Sequence, residues 1–314
     1  MSEWSAEERR RGFQRAVAER TMQRRLEALA ALPAPRVLAR RESPDGGARK
    51  MLLAWEDGAC TEVVLMRYRE RLSACISTQV GCACGCVFCA TGQAGFSRNL
   101  SADEIAAQVL YLQQELAPSG TLLSNFVLMG MGEPLLNYGA TIEAIRRLVD
   151  PRGAAFVPRR VTLSTVGVVD GILRLAGEGL GIRLAVSLHA ATDELRDRLV
   201  PVNRRWPLRT LFEALRDYQQ RTRQRVMVEW VMIEGVNDSV EQARALVERV
   251  AGLDSHVNVI GLNATPHYAG RASPPQRMAE FIAALEAAGV PHTMRQRRGT
   301  EIAAGCGQLM ARSA

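Results

Sequence analysis

The strongest constraint on the fold of this chain is a long alternation of strand-like and helix-like segments that begins at residue 72. Short apolar runs predict strands over residues 72–77, 124–129, 160–165, 182–188, 226–233, 256–262 and 292–296. Apolar residues at helical spacing predict helices over residues 101–116, 140–149, 168–177, 208–222, 239–250 and 275–288. Strands that are joined through helices run parallel. The pattern therefore predicts an α/β fold, a barrel or open barrel of about six strand-helix units, with its site at the carboxyl ends of the strands.

The first 68 residues have a different pattern. Residues 5–8 have the form of a helix capping box, which predicts one amphipathic helix to about Ala31, ended by Pro33 and Pro35. Three strand-like runs follow at residues 36–42, 49–55 and 60–66, with turn sequences between them, and they predict a small antiparallel meander. The predicted division is a helical region at 1–35, a meander at 36–68, and the barrel with its C-terminal segment at 69–314.

Composition narrows the class of protein further. Of the 314 residues, 47% are apolar and 23% charged, which excludes disordered and collagen-like chains. No apolar run is long enough for a membrane helix, and the N-terminus lacks the layout of a signal peptide, so we expect a cytoplasmic protein. Forty basic residues against 33 acidic ones give a net charge of +7, and Lys50 is the only lysine. This excess favours a polyanionic partner such as nucleic acid, although a GC-rich genome would also replace lysine by arginine.

The cysteines indicate a metal site rather than a disulfide framework. The chain has seven, an odd number, and four of them lie between Cys82 and Cys89, directly after the first predicted barrel strand. Cys82, Cys86 and Cys89 have the spacing C-x3-C-x2-C, which suits iron and leaves one iron of a four-iron cluster open to a ligand. A zinc site is the alternative, but no second C-x2-C pair supplies its remaining ligands. We expect Cys84 and Cys60 to fill apolar space.

The sequence around this motif allows a more specific comparison. Phe88 precedes the last cysteine of the motif, and distinctive blocks occur in order at residues 75–92, 95–100, 131–137, 161–165, 187–190 and 304–309. With these blocks the chain resembles the RlmN/Cfr family of radical S-adenosylmethionine (SAM) RNA methyltransferases from about residue 36 to its end, and is closest to the RlmN branch. The resemblance implies a radical SAM partial (β/α)6 TIM-like barrel, preceded here by a shorter helical region than is usual in the family.

The resemblance also implies two cofactors, a [4Fe-4S] cluster and SAM, with two molecules of SAM used per turnover. It assigns the cluster to Cys82, Cys86 and Cys89. It assigns contacts with SAM to Gly132, Glu133, Ser164, Ser187, Leu188, His189 and Asn263. A glycine permits close backbone approach and a carboxylate can pair with the ammonium group of SAM, so the first two residues suit this task. Taken singly, each of the other five is more often a strand-end cap or a satisfied core group.

Two further cysteines and a glutamate receive catalytic roles from the resemblance. Cys306 accepts a methyl group from SAM and becomes the S-methylcysteine whose carbon is transferred to an RNA adenine. Cys75 is the resolving thiol, which forms a transient disulfide with Cys306 and releases the methylated RNA. Glu62 accepts the proton that leaves the adenine ring. Without the resemblance, an isolated cysteine is more often a small buried hydrophobe, and Glu62 a solvated strand carboxylate.

The implied function is methylation of the 2-position carbon of an adenine in 23S ribosomal RNA (rRNA), at the peptidyl-transferase centre, and of the adenine next to the anticodon in tRNA. We also expect a one-electron donor such as flavodoxin or ferredoxin, a monomeric state and no membrane partner. Three alternatives stay open at this point. They are Cfr-type methylation at the 8-position of the rRNA adenine, a radical SAM activase that acts on a protein, and a metal-stabilised RNA-binding module without catalysis. The arginines at 204–205 and 295–298 receive no site role.

Overall fold

The computed structural model of the chain describes residues 6–69 and 71–310. Within them the helices are α1 (Ala6–Ala30), α2 (Ala90–Gln93), α3 (Ala102–Leu116), α4 (Tyr138–Val149), α5 (Val169–Leu175), α6 (Asp193–Leu199), α7 (Leu208–Thr222), α8 (Val240–Val250) and α9 (Pro275–Ala287). The strands are β1 (Arg36–Glu42), β2 (Ala48–Ala54), β3 (Cys60–Arg67), β4 (Leu72–Cys75), β5 (Gln79–Gly81), β6 (Phe96–Asn99), β7 (Asn125–Leu128), β8 (Val161–Thr165), β9 (Arg183–Ser187), β10 (Val226–Met232), β11 (Ser255–Gly261) and β12 (His292–Met294).

The barrel strands belong to one sheet. In the described part of the chain this sheet has ten strands in the order β1-β2-β3-β4-β7-β8-β9-β10-β11-β12. From β4 onward neighbouring strands are parallel, and one or more helices join each strand to the next. Spatial order therefore follows chain order, as it does around a strand-helix barrel. The predicted α/β fold with a partial barrel is confirmed.

The meander continues this sheet at one edge. Strands β1, β2 and β3 pair antiparallel across the two predicted turns. Strand β3 then pairs antiparallel with β4, so that Val64 lies opposite Cys75. This pairing brings side chains of β2 and β3 close to the carboxyl end of β4. The division of the chain after residues 35 and 68 stays a prediction.

Most predicted elements lie within two residues of their predicted bounds, and the differences have local causes. The strand predicted over 72–77 ends at Cys75, because the amide of Ser77 donates a hydrogen bond to Gln108 Oε1 instead of to a strand. Helix α3 begins one residue later than predicted, because Ser101 is its N-cap and accepts a hydrogen bond from the Glu104 amide. The antiparallel pair β5 and β6 and the short helices α2 and α6 were not predicted from the sequence. The capping box predicted at 5–8 depends on Ser5, which lies outside the described residues.

The core lies between the sheet and its helices. Phe126 of β7, Trp230 of β10 and Phe281 of α9 are fully buried, and the rings of Trp230 and Phe281 lie 5.5 Å apart. Helix α1 is attached through Arg25, whose guanidinium lies 3.6 Å from the ring centroid of Phe156 and donates to carbonyls of the barrel. In the residues described, no helix combines the length and the apolar character needed to cross a bilayer.

Candidate active site

One cavity at the carboxyl ends of the barrel strands collects most of the predicted site residues. Those that line it are Cys75, Cys82, Cys86, Cys89, Gly132, Glu133, Ser164, Ser187, His189, Asn263 and Cys306. Two predicted residues, Glu62 and Leu188, are not among the lining residues. The fold thus brings the first barrel strand, the cysteine motif and the C-terminal segment to one space, the place where strand-helix barrels carry their sites.

The loop that carries the cysteine motif is fixed by backbone contacts, of which all but the bond from the Val87 amide to the Leu199 carbonyl are close in sequence. Gly81 has a φ of 77°, and a Cβ atom there would lie 2.0 Å from the carbonyl oxygen of Gly95, so only glycine permits this approach of β5 to β6. The Cys82 amide donates to the same carbonyl at 2.8 Å, and the Cys89 amide donates to the Cys86 carbonyl at 3.1 Å. The loop therefore sets the directions of its three motif cysteines by local structure.

The thiols of this loop lie in an environment that favours metal binding over free thiolates. Burial, reinforced by the neighbouring thiols, raises the pKa of Cys86 well above its usual value, and burial also raises the pKa of Cys89. A hydrogen bond from Cys84 lowers the pKa of Cys82. Cys84 is buried in an apolar cluster that includes Leu199. Thiolates grouped in this way need a cation in place of their protons, which is the chemistry that an iron cluster provides.

The three motif cysteines, Cys82, Cys86 and Cys89, line one cavity. Among residues 6–69 and 71–310, no three His, Cys, Asp or Glu side chains are grouped as the ligands of a single metal ion would be.

Glu133 is a buried carboxylate that faces the cavity without a cationic partner among the described residues. Its Oε1 accepts from the Leu135 amide at 3.0 Å and its Oε2 from the Val166 amide at 2.8 Å. Burial raises the pKa of Glu133 to about 7. Gly132 has a φ of 98°, and a Cβ atom there would lie 2.6 Å from Gln79 Cβ. A close backbone approach beside an uncompensated buried carboxylate fits a ligand that carries an ammonium group.

The predicted residues of β8 and β9 divide into two kinds. Ser164 and Ser187 are half-buried and line the cavity, so their hydroxyls are available to a ligand. Leu188 is only 1% exposed and its side chain belongs to the main core. Its amide donates to the Glu229 carbonyl and its carbonyl accepts from Arg196. The side chain of Leu188 is therefore a core group.

His189 joins neighbouring loops. It is buried, with a left-handed φ of 61°, and its Nδ1 accepts a hydrogen bond from the Val231 amide at 3.1 Å. Its carbonyl accepts from Asn237, and its ring lies edge-on to Phe88 with centroids 5.0 Å apart. Burial lowers the pKa of His189 to about 3, so the imidazole is neutral. These contacts agree with a structural role for the ring.

Asn263 offers an acceptor to the cavity while it holds the C-terminal segment. Its Nδ2 donates to the Cys306 carbonyl at 3.0 Å. Its Oδ1 is buried and has no hydrogen-bond partner among the described residues. Because a buried amide oxygen without a partner is costly, this atom fits a ligand that donates to it.

Cys75 and Cys306 line the cavity together with the motif cysteines. Burial, and next the nearby Cys306 thiol, raise the pKa of Cys75 to about 12. Cys306 is exposed towards the cavity, but the surrounding walls still raise its pKa. All seven cysteines are free thiols in this structure. Cys75 and Cys306 therefore lie at the same cavity as the motif cysteines, whereas Cys60, at the start of β3, does not line it.

Glu62 lies beside the cavity, beneath the C-terminal segment. Its side chain is 8% exposed, and its Oε1 lies 2.8 Å from Nζ of Lys50. Its Oε2 accepts from the Met310 amide at 2.8 Å. Glu62 is thus neither solvated nor opposite an arginine, and both of its oxygens are engaged.

Sequence analysis missed two charged residues that line the cavity, Glu229 and Arg295. Glu229 Oε1 accepts from Asn258 Nδ2 at 2.8 Å, and its Oε2 lies 3.9 Å from Arg295 Nη1. A signal for Glu229 was present, because it is the one charged residue in the otherwise apolar strand β10. Arg295 had been noted only as part of a charged run. Further arginines that line the cavity are Arg71, Arg183, Arg297 and Arg298.

Comparisons with known proteins agree with this geometry. A family model described as the Radical SAM superfamily matches residues 76–247. A dual-specificity RNA methyltransferase RlmN 1 from Myxococcus xanthus is 53% identical over 86% of this chain and 75% of its own length. A probable dual-specificity RNA methyltransferase RlmN from Moorella thermoacetica is 49% identical over 92% of this chain and 83% of its own.

A solved structure extends the comparison to three dimensions. The crystal structure of a radical SAM methyltransferase from Sphaerobacter thermophilus matches with a TM-score of 0.87 and 45% identity, covering 88% of this chain and 81% of that one. Both the sequence and the fold therefore place this chain in the RlmN family of RNA methyltransferases, within the radical SAM superfamily.

Proposed function

We propose that this enzyme methylates the 2-position carbon of an adenine in 23S rRNA, at the peptidyl-transferase centre, and of the adenine next to the anticodon in tRNA. The observation that carries the proposal is the meeting of Cys75 and Cys306 with the three motif cysteines in one cavity. A methyl transfer through a protein thiol needs a carrier and a resolving cysteine beside the cofactor site. The relatives in Myxococcus and Moorella, both named dual-specificity RNA methyltransferases, support two kinds of RNA substrate.

The cofactors of the superfamily are a [4Fe-4S] cluster and SAM. We assign the cluster to Cys82, Cys86 and Cys89. Glu133 would bind the ammonium group of SAM. Further contacts with SAM would come from cavity-lining groups at Gly132, Ser164, Ser187 and Asn263. For His189, which lines the cavity, and Leu188, which lies in the core behind it, the proposal is limited to shaping and supporting the cavity wall. When bound, the cluster and SAM supply the one-electron chemistry that activates a methyl group on sulfur.

In this proposal Cys306 carries the methyl group as S-methylcysteine, and its carbon forms a bond to the adenine ring. Forming this bond removes one hydrogen atom from the methyl group, which the radical chemistry of a second SAM would take up. It also removes a proton from the ring, which Glu62 would receive, and one electron, which would return to the cluster. Cys75 then bonds to the sulfur of Cys306 while the carbon–sulfur bond breaks, and the electron pair of that bond stays with the carbon, which takes up a proton. The two cysteines end as a disulfide, so a thiol reductant must restore them. A one-electron donor of the flavodoxin or ferredoxin type supplies the electron that reduces the cluster.

The charge around the cavity supports an RNA substrate. Arg71, Arg183, Arg297 and Arg298 line the cavity, and the whole chain carries a net charge of +7. The ring centroid of Tyr68 lies 4.8 Å from Cζ of Arg71 and 4.9 Å from Cζ of Arg298. Arginines suit phosphate geometry, so this rim can position an RNA backbone while a base enters the cavity.

Nucleoside mass spectrometry tests the proposal. The reconstituted enzyme is incubated anaerobically with SAM, a reductant, and rRNA or tRNA from a strain that lacks the modification. We expect 2-methyladenosine in both RNAs, and none with the Cys306→Ala variant. The 8-methyl product would instead assign a Cfr-type activity. No methyladenosine from an enzyme with an intact cluster would contradict the proposed substrate.

A further inference from the structure

Lys50 is the one lysine among the 40 basic residues of the chain, and it is buried. It lies on β2 with only 9% of its surface exposed. Lysine is rarely buried unless its ammonium group is paired. Every other basic position uses arginine, so whatever favours arginine elsewhere in the chain does not do so here. This position therefore has a requirement that an ammonium group meets and a guanidinium group does not.

The contacts of Lys50 show what this requirement is. Its Nζ lies 2.8 Å from Glu62 Oε1 and donates to the Ala303 carbonyl at 3.1 Å. Glu62 in turn accepts from the Met310 amide at 2.8 Å. The ion pair thus holds the segment of residues 299–310, which we call the C-terminal segment, at one point on each side of Cys306.

The surroundings of the pair are apolar and tightly packed. Ala48, Val64, Met131 and Leu309 form one buried cluster there, and Ala304 packs against it. A compact tetrahedral ammonium can donate to a carboxylate on one side and a carbonyl on the other. A planar guanidinium is larger and would need to displace the C-terminal segment. This geometry gives a physical reason for lysine at this position.

We propose that Lys50 is a positioning residue, whose ammonium group ties β2 to Glu62 and to Ala303 and so fixes the C-terminal segment with Cys306 facing Cys75 across the cavity. The proposal rests on the proposed function insofar as Cys306 is the methyl carrier. It also gives Glu62 a second task, because the carboxylate fixes the segment at Met310 while it stands beside the cavity.

Amine labelling of the holoenzyme tests the contacts without any RNA. Because Lys50 carries the only side-chain amine, reductive methylation followed by peptide mass spectrometry reports on it alone, apart from the α-amino group. We expect labelling at least about tenfold slower than for an exposed lysine of a reference peptide, and faster labelling in the Glu62→Gln variant. Labelling of the native protein at the rate of the reference peptide would overturn the proposal.

Substitution of Lys50 tests its role in positioning. In Lys50→Met we expect unchanged iron content, a fall of about tenfold in the rate at which diamide joins Cys75 to Cys306, and a fall of about 100-fold in RNA methylation. Arg49→Met is the matched control, because Arg49 precedes Lys50 on β2 and its guanidinium pairs with Glu42 at a more exposed position. The control should keep all three properties.

The outcomes separate this proposal from the proposed function. Native disulfide and methylation rates in Lys50→Met would overturn the positioning role, and full activity in Lys50→Arg would overturn the requirement for an ammonium group. If the native enzyme methylates no RNA, but Lys50→Met still slows disulfide formation, the proposed function fails and the positioning role stands.

Discussion

The cysteine loop (residues 81–89) and the C-terminal segment bring reactive cysteines to the same cavity by different means. The loop is held largely by short-range backbone contacts, such as the approach of Gly81 to Gly95, with one distant bond from the Val87 amide to the Leu199 carbonyl. The C-terminal segment has no regular secondary structure and depends on side chains from distant elements, including Lys50, Thr91 and Asn263. A binding site for a cofactor can be formed by one stretch of sequence. The segment that carries Cys306 is instead held by several side chains, each of which can be altered without changing the loop. The two regions should therefore fail separately when they are altered.

The largest expected effect comes from breaking the cysteine loop. In Gly81→Ala the new Cβ atom would lie 2.0 Å from the Gly95 carbonyl oxygen, at a φ of 77°, so the backbone must move. We expect iron content after reconstitution to fall below about a tenth of the native value, with loss of SAM cleavage and methylation. Iron and sulfide analysis measures this. Gly58→Ala, at a turn with a φ of 81° and no atom within 4 Å, is the matched control for backbone conformation and should retain its iron.

Removing the carrier should abolish the product and leave the loop intact. Cys306→Ala takes away the thiol that we propose receives the methyl group, while none of the contacts that fix residues 81–89 is changed. We expect native iron content and no methyladenosine, measured by metal analysis and nucleoside mass spectrometry. Methylation above background would show that Cys306 is not the carrier.

A contact of the C-terminal segment that also faces the cavity should give an intermediate effect. Asn263→Ala removes the hydrogen bond to the Cys306 carbonyl and the unpartnered Oδ1. We expect methylation to fall by about tenfold to 100-fold with iron content retained, because both the segment and a ligand contact are lost. Gln276→Ala, on an exposed position of α9, serves as the control. Equal activities of the two variants would argue against this role of Asn263.

The smallest effect is expected at one of two hydrogen bonds that join α2, just after the loop, to the C-terminal segment, the other being from the Ala90 amide to the Gly307 carbonyl. Thr91 is buried in α2, just after the loop, and its Oγ1 donates to the Leu309 carbonyl at 2.6 Å. Thr91→Val keeps the shape and removes this bond, at a cost of about 1 kcal/mol. We expect faster hydrogen exchange in residues 305–310, and methylation reduced by about two- to fivefold, with normal iron content. Because the Thr91 hydroxyl also contacts the Cys89 thiol, a loss of iron instead would mean that the loop depends on this hydroxyl.

The same difference explains what the sequence could predict. The barrel strands and helices were predicted closely because their apolar runs are long and repeat at regular spacing. Strands β5 and β6 were missed because each has only three or four residues and no clear alternation. The motif cysteines were evident from their local spacing, and the carrier and resolving cysteines followed from resemblance alone.

The attachment of the C-terminal segment could not be predicted. Glu62 and Met310 are 248 residues apart in the chain, and Lys50 and Ala303 are 253 apart. Nothing in the sequence near Lys50 indicates its partner, and only its being the sole lysine singled it out. Likewise, Leu188 and His189 share a motif with Ser187, but only the structure shows that Leu188 lies in the core and that the His189 ring is held by the Val231 amide.

The central claim, that Cys306 carries the carbon and Cys75 releases the RNA, is tested most directly with the Cys75→Ala variant. The reconstituted variant is incubated with SAM, reductant and unmodified RNA, and the products are digested and analysed by mass spectrometry beside the native enzyme. Without the resolving thiol, we predict a covalent adduct that joins the Cys306 peptide to a single adenine through one carbon, with little free methylated RNA. Normal release of methyladenosine, or SAM cleavage without any adduct, would contradict the account.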